Sequence, residues 1–188
     1  MSEATMLGVG LTLGLGISVA VVGAAIDART GHVPNWLTLG ALSVAPPVAF
    51  ALAASAHGVR AGLVAAGMSL LGAFVCGLGP LVAFLKGAMG GGDVKLLAAI
   101  GALLGFRLGL DAEFYGFVIG ALYVPAKLAW DGRLIATLTG GLRALLNPLR
   151  KQQERAAVPE GLRMRVRLGP AICAGTLAAI VLAWMGGA

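Results

Sequence analysis

Charged residues are scarce in this chain: of its 188 residues 12% are Asp, Glu, Lys or Arg, about half the share of an ordinary soluble domain. A soluble surface of normal polarity is thereby excluded. Aromatic residues are also sparse, at 6%, too few for the two aromatic girdles of a lipid-facing β-barrel. Cysteine occurs twice, at Cys76 and Cys173, each inside an apolar run, with no Cys-x-x-Cys pair and no neighbouring histidine. That excludes a disulfide scaffold and a cysteine-based zinc site, and both residues read as packing. No metal and no cofactor are expected.

Apolar bulk and glycine fill the space that charge leaves. Hydrophobic residues make up 59% of the chain, glycine contributes 30 positions, and the mean hydropathy is +0.92. This composition suits helices that approach closely through small residues inside a bilayer. The expected fold class is all-α: a polytopic membrane protein of one membrane-embedded domain over residues 1–188. At about 20 apolar residues per crossing, six transmembrane helices fall near 7–26, 36–56, 61–85, 94–110, 113–130 and 169–186. The residues before the first carry an acid and no Lys or Arg, so it reads as a mature span rather than a signal peptide. Pro80 is expected to kink the third helix and leave its lower end partly re-entrant. A tight hairpin at 110–112 is expected between the fourth and fifth. Gly101, Gly105 and Gly109 would share one helical face, and Trp36, Trp130 and Trp184 fall at span ends, where indole prefers the headgroup layer.

The net charge of +6 and pI near 10.0 do not point to nucleic acid, because most basic residues lie in loops beside spans. Twelve of them fall in the first, third and fifth loops, nine of those from Lys127 to Arg167. The opposite side has only Arg60 and Arg107. The positive-inside rule then puts both termini outside and the odd loops in the cytoplasm. Within the basic loop 131–168, Leu134, Leu138, Leu142, Leu145 and Leu149 recur at helical spacing. An amphipathic helix on the cytoplasmic membrane surface is expected there. Its arginines suit topology setting and contact with anionic lipid.

Against this background the run Lys86-Gly87-Ala88-Met89-Gly90-Gly91-Gly92-Asp93-Val94-Lys95 stands out. An acid dragged to the bilayer centre costs about 2.5 to 3.5 kcal/mol, so Asp93 belongs at an interface or in a protein-lined cavity. Gly90 to Gly92 lack Cβ atoms, which would let a substrate backbone approach. The same run also fits a plain glycine-rich loop with Asp93 as a helix N-cap. A second acid, Asp27, ends the first span, ahead of Val33-Pro34-Asn35-Trp36. The charge count puts both carboxyls on one face at similar depth. Two carboxyls in a poorly solvated site do not both ionise easily, so one holds a proton while the other is a base, the arrangement with which aspartic proteases activate water. Helix position suggests the assignment: Asp93 opens a helix, where the macrodipole favours an anion, and Asp27 closes one, where it does not. The competing readings are unrelated helix-end acids paired with Arg29 or Lys95, a non-catalytic scaffold, and a proton- or ion-coupled transporter using Asp27 and Asp93. Pro34 and Asn35 read as the start of the second helix, Asn35 as its N-cap.

In these motifs the sequence resembles the type IV prepilin peptidases, membrane aspartyl proteases of the Gly-x-Gly-Asp class. Gly90-Gly91-Gly92-Asp93-Val94-Lys95 matches the class motif, and Asp27 with its Val33-Pro34-Asn35 continuation is similar to the family's first aspartate. Leu168-Gly169-Pro170-Ala171 is similar to a Tyr-Gly-Pro-Ala-type segment in the final helix, with leucine in place of the aromatic. The resemblance implies Asp27 and Asp93 as catalytic acids, and Gly90, Gly92, Lys95, Pro34 and Asn35 as motif or substrate-positioning residues. Lys95 would meet an acidic residue that such substrates carry after the cut, although a lysine snorkelling to headgroups fits as well. The implied reaction is removal of the short basic leader from prepilins or pseudopilins at the cytoplasmic face of a bacterial inner membrane. The implied partners are that substrate, the lipid bilayer and the pilus assembly machinery. Paired cysteines of a methylating domain are not found, so the short, peptidase-only form of tight-adherence (Flp-like) pilus systems is expected.

Overall fold

The computed structural model describes residues 3–87, 89–130, 132, 135, 139 and 168–186. All regular structure among them is helical, in six long helices. These are α1 (Glu3–Thr30), α2 (Asn35–His57), α3 (Val59–Leu85), α4 (Gly91–Leu104), α5 (Phe106–Trp130) and α6 (Gly169–Gly186). Four segments are long and apolar enough to cross a bilayer: Leu7–Thr30 of α1, all of α2, all of α3, and α6. The protein is a membrane protein by this measure. α4, at 14 residues, rises about 21 Å, short of the roughly 30 Å of hydrocarbon. α5 is long enough, but Arg107, Asp111 and Glu113 interrupt its first half.

The burial pattern suits lipid on the outside. Leu63, Val64, Leu70, Phe74 and Leu78 of α3 are exposed, while the side of the same helix turned to α4 is built of Ser69, Gly72 and Cys76. Gly72 and Gly101 bring the backbones of α3 and α4 into direct contact, a methyl group on either one overlapping the other's carbonyl oxygen. The Ser69 hydroxyl donates to the Ala102 carbonyl at 2.7 Å, so the one polar group in that seam is satisfied. α4 is the most enclosed element: Leu96, Leu97, Ala99 and Ile100 are all buried. Leu96, Leu97 and Ile100 meet Ala20 of α1, Val33 of the first loop, Ala112 of α5 and Ile172 of α6 in one cluster.

Two expectations are corrected. The turn between the fourth and fifth helices is at Gly105, not at 110–112, because Gly105 adopts φ +78°, a left-handed conformation that stops α4, and Phe106 starts a new helix. Gly101, Gly105 and Gly109 therefore do not line one helical face. Gly109 belongs to α5, where a methyl group would lie 2.9 Å from Gly101 Cα, so these glycines close a helix crossing. α3 runs through the buried Pro80 as one helix.

The chain divides by its own contacts into Met1–Gly120 with Arg167–Ala188, and Ala121–Val166. In the second unit the end of α5 is described, with Lys127 Nζ 5.9 Å from the Tyr123 ring centroid and Trp130 exposed. The amphipathic helix expected over 131–168 lies, but for 132, 135, 139 and 168, outside the described residues.

Candidate active site

Glycine on α1 sets the register of the site. A methyl group at Gly16 would sit 2.7 Å from Leu104 Cδ2, and one at Gly23 3.0 Å from Leu96 Cδ1. Moving forward along α1 thus corresponds to moving back along α4, and the two helices pack antiparallel. One turn beyond Gly23, on the same face of α1, is Asp27. One turn before Leu96, on the same face of α4, is Asp93. The register brings both acids to one level at the same end of the pair. Both are buried, Asp27 at 4% exposure and Asp93 at 8%.

Each acid is fixed by its neighbours. Asp27 Oδ2 accepts the backbone N–H of Gly169 at 3.0 Å, across 142 residues of sequence. Gly169 is the first residue of α6, so the carboxyl caps that helix from outside the segment. The helix-end argument for distinguishing the acids does not hold here. Asp27 closes α1 but stands at the start of α6, where the macrodipole favours an anion as it does for Asp93. Asp93 is the third residue of α4; the N-cap is Gly90, whose carbonyl accepts the Asp93 N–H at 3.2 Å. The reading of Asp93 as an N-cap is therefore replaced.

The glycine run serves the protein's own packing. A methyl group at Gly92 would lie 3.3 Å from both Cβ and N of Val33, and one at Gly91 3.3 Å from the Phe84 ring. Gly90 is exposed, in an extended conformation at φ −77° and ψ 144°, and a methyl group there would lie 3.1 Å from Asp93 Oδ2. Of the three, Gly90 is the one exposed, Gly91 and Gly92 being half-buried. Pro34 caps α2 through its backbone, its carbonyl receiving Leu37 N–H at 3.2 Å. Asn35 is not the cap: it is the first residue of α2, and its Oδ1 accepts Lys95 Nζ at 2.9 Å. Lys95, two residues past Asp93, thus ties α4 to the start of α2. His32 is exposed.

Residues 14–124, more than half of the chain and including both aspartates, match the type IV leader peptidase family. The chain belongs to that family. Within the curated proteins it is similar to the prepilin leader peptidase/N-methyltransferase of Bacillus subtilis (strain 168), 44% identical over 57 residues. That match covers 30% of this chain and 23% of the relative, so it spans less than a quarter of the relative's length. No solved structure matches.

In this family member two buried groups were given no role from sequence. Gly169 was noted as motif, but its contact with Asp27 joins the two ends of the chain and leaves no local signal. Glu113 of α5 is buried, its Oε2 without a hydrogen-bond partner among the described residues and its Oε1 facing Gly79 of α3. An acid in an apolar run was the available signal. Among the described residues no group of His, Cys, Asp and Glu could hold a metal ion.

Proposed function

We propose that this chain is an intramembrane-type aspartic endopeptidase that removes the basic leader from type IV, Flp-like prepilins, with Asp27 and Asp93 as its water-activating pair. The reading rests above all on the antiparallel α1–α4 register, which sets two buried carboxyls at one level within the family-matched stretch. The ionised acid takes a proton from water as the oxygen attacks the scissile carbonyl, and the neutral acid donates a hydrogen bond to the carbonyl oxygen. The intermediate collapses as a proton passes to the leaving amine. Gly90 offers its open backbone to the substrate, and Gly92 lets Val33 close over the start of α4. Lys95, held by Asn35 beyond Pro34, is available to a substrate acid.

The peptidase domain spans 1–188 and crosses the bacterial inner membrane six times, with both termini outside and the acids at the cytoplasmic face. The count of basic residues supports that orientation. α4 is short for a crossing, yet protein surrounds it, and a helix enclosed by others need not match the lipid thickness. The loop 131–168 carries the interfacial helix. Cleavage proceeds without N-methylation, a reading supported by the two unpaired cysteines. Transport through the same acids is disfavoured because both stand at one end of the helices rather than at mid-span.

A tagged model prepilin co-expressed with wild type, Asp27→Asn or Asp93→Asn tests the proposal by immunoblot, with enzyme levels followed in parallel. The expected outcome is a shortened substrate with wild type alone. Processing by either variant would refute the shared role of the acids.

A further inference from the structure

We infer that Gly169 is a positioning residue for Asp27, its N–H fixing Oδ2 and its missing side chain admitting the carboxyl to the end of α6. The inference rests on the proposed catalytic role of Asp27. Three observations carry it. The N–H of Gly169 donates to Oδ2 at 3.0 Å, in a buried setting where such a bond is not exchanged for water. A methyl group at Gly169 would lie 2.7 Å from Oδ2, 2.8 Å from Cβ and 3.1 Å from Cγ of Asp27. Every one of its nearest neighbours is therefore the aspartate, and no other residue type allows this approach. Pro170, next in the chain, has no N–H, so the second position of α6 offers no competing donor and Gly169 supplies the first one.

The bond uses one oxygen and spares the other. Asp27 Oδ1 makes no hydrogen bond among the described residues. With Oδ2 anchored to backbone, the carboxyl plane is fixed and Oδ1 is the oxygen left to exchange a proton with water or with Asp93. Gly169 touches neither substrate nor water in this scheme. It acts through Asp27, and its loss is expected in the chemical step rather than in substrate binding.

The test measures kcat and KM for a synthetic prepilin peptide with wild type, Gly169→Ala, Gly175→Ala and Asp27→Asn in detergent, each normalised to folded enzyme. Gly175 lies on the same helix but packs on the Gly116 backbone, so its variant reports a packing fault away from the acid. Gly169→Ala is expected to lower kcat about 10²-fold, the cost of misplacing a reacting group by about 1 Å, with KM within twofold of wild type. Gly175→Ala is expected to lower the unfolding temperature and keep kcat. Wild-type kcat in Gly169→Ala, or a change confined to KM, would overturn the inference. Asp27→Asn that still cleaves overturns instead the role of Asp27 on which it rests. A second measurement holds even if Gly169→Ala does not fold. In 15N-glycine-labelled enzyme the Gly169 amide proton is expected downfield and to move upfield in Asp27→Ala; an unmoved resonance overturns the inference.

Discussion

Glu113 carries the clearest imbalance at the scale of single residues. Its Oε2 is buried without a hydrogen-bond partner among the described residues. An unsatisfied buried polar group costs about 1–3 kcal/mol, so Glu113→Met, which keeps the volume and removes the carboxyl, is expected to stabilise the protein by up to that amount. Thermal unfolding in detergent measures it, and a lower midpoint in the variant would mean that the carboxyl has a partner. Prepilin cleavage per folded enzyme should be unchanged, since Glu113 packs on Gly79 rather than joining the Asp27 and Asp93 pair. Asn35 and Lys95 give a smaller effect. Their bond is exposed at 2.9 Å, and Asn35→Ala should cost no more than about 1 kcal/mol of stability. If Lys95 meets a substrate acid, the same variant should raise KM and leave kcat alone in peptide kinetics.

Contacts between elements decide which glycines matter. Gly72 and Gly67 lie on the same helix, α3, but only Gly72 meets another backbone, that of Gly101; Gly67 has nothing within 4 Å. Gly72→Ala is expected to separate α3 from α4 and destabilise by about 1–3 kcal/mol. Gly67→Ala should gain about 0.5–1 kcal/mol from helix propensity. Comparing the two unfolding midpoints tests the packing, since propensity alone predicts the same sign for both. This scale is also where sequence reading was weakest. Apolar runs located the helices, but hydropathy does not register a positive φ, so the break at Gly105 was read five residues late. The rows of small residues correctly marked close approach, yet the sequence does not say whether Gly101 and Gly109 lie along one helix or across a crossing. Asn35 looked like a cap because capping is local, whereas its partner Lys95 is 60 residues away.

For the whole molecule, the charge count predicts a testable orientation. In a Cys76→Ala, Cys173→Ala background, Ser55→Cys near the end of α2 should react with a membrane-impermeant maleimide in intact spheroplasts. His32→Cys, in the loop after Asp27, should react only once the membrane is opened. The reverse pattern would turn the acids to the outer face. Much of this level was legible: scarce charge gave the membrane class, and two acids in a chain with only eight stood out as a pair. The contact of Asp27 with α6 was not, because that helix joins the site from 142 residues further along the sequence.

The bond between Asp27 and Gly169 also orders events during synthesis. The first helix enters the membrane early, but the backbone group that holds its carboxyl lies 142 residues later and is the last piece of the site to leave the ribosome. Until α6 inserts, Oδ2 has no anchor and the seat of Asp27 stays open on one side. A nascent chain therefore lacks the anchor that fixes the Asp27 carboxyl until translation has delivered α6.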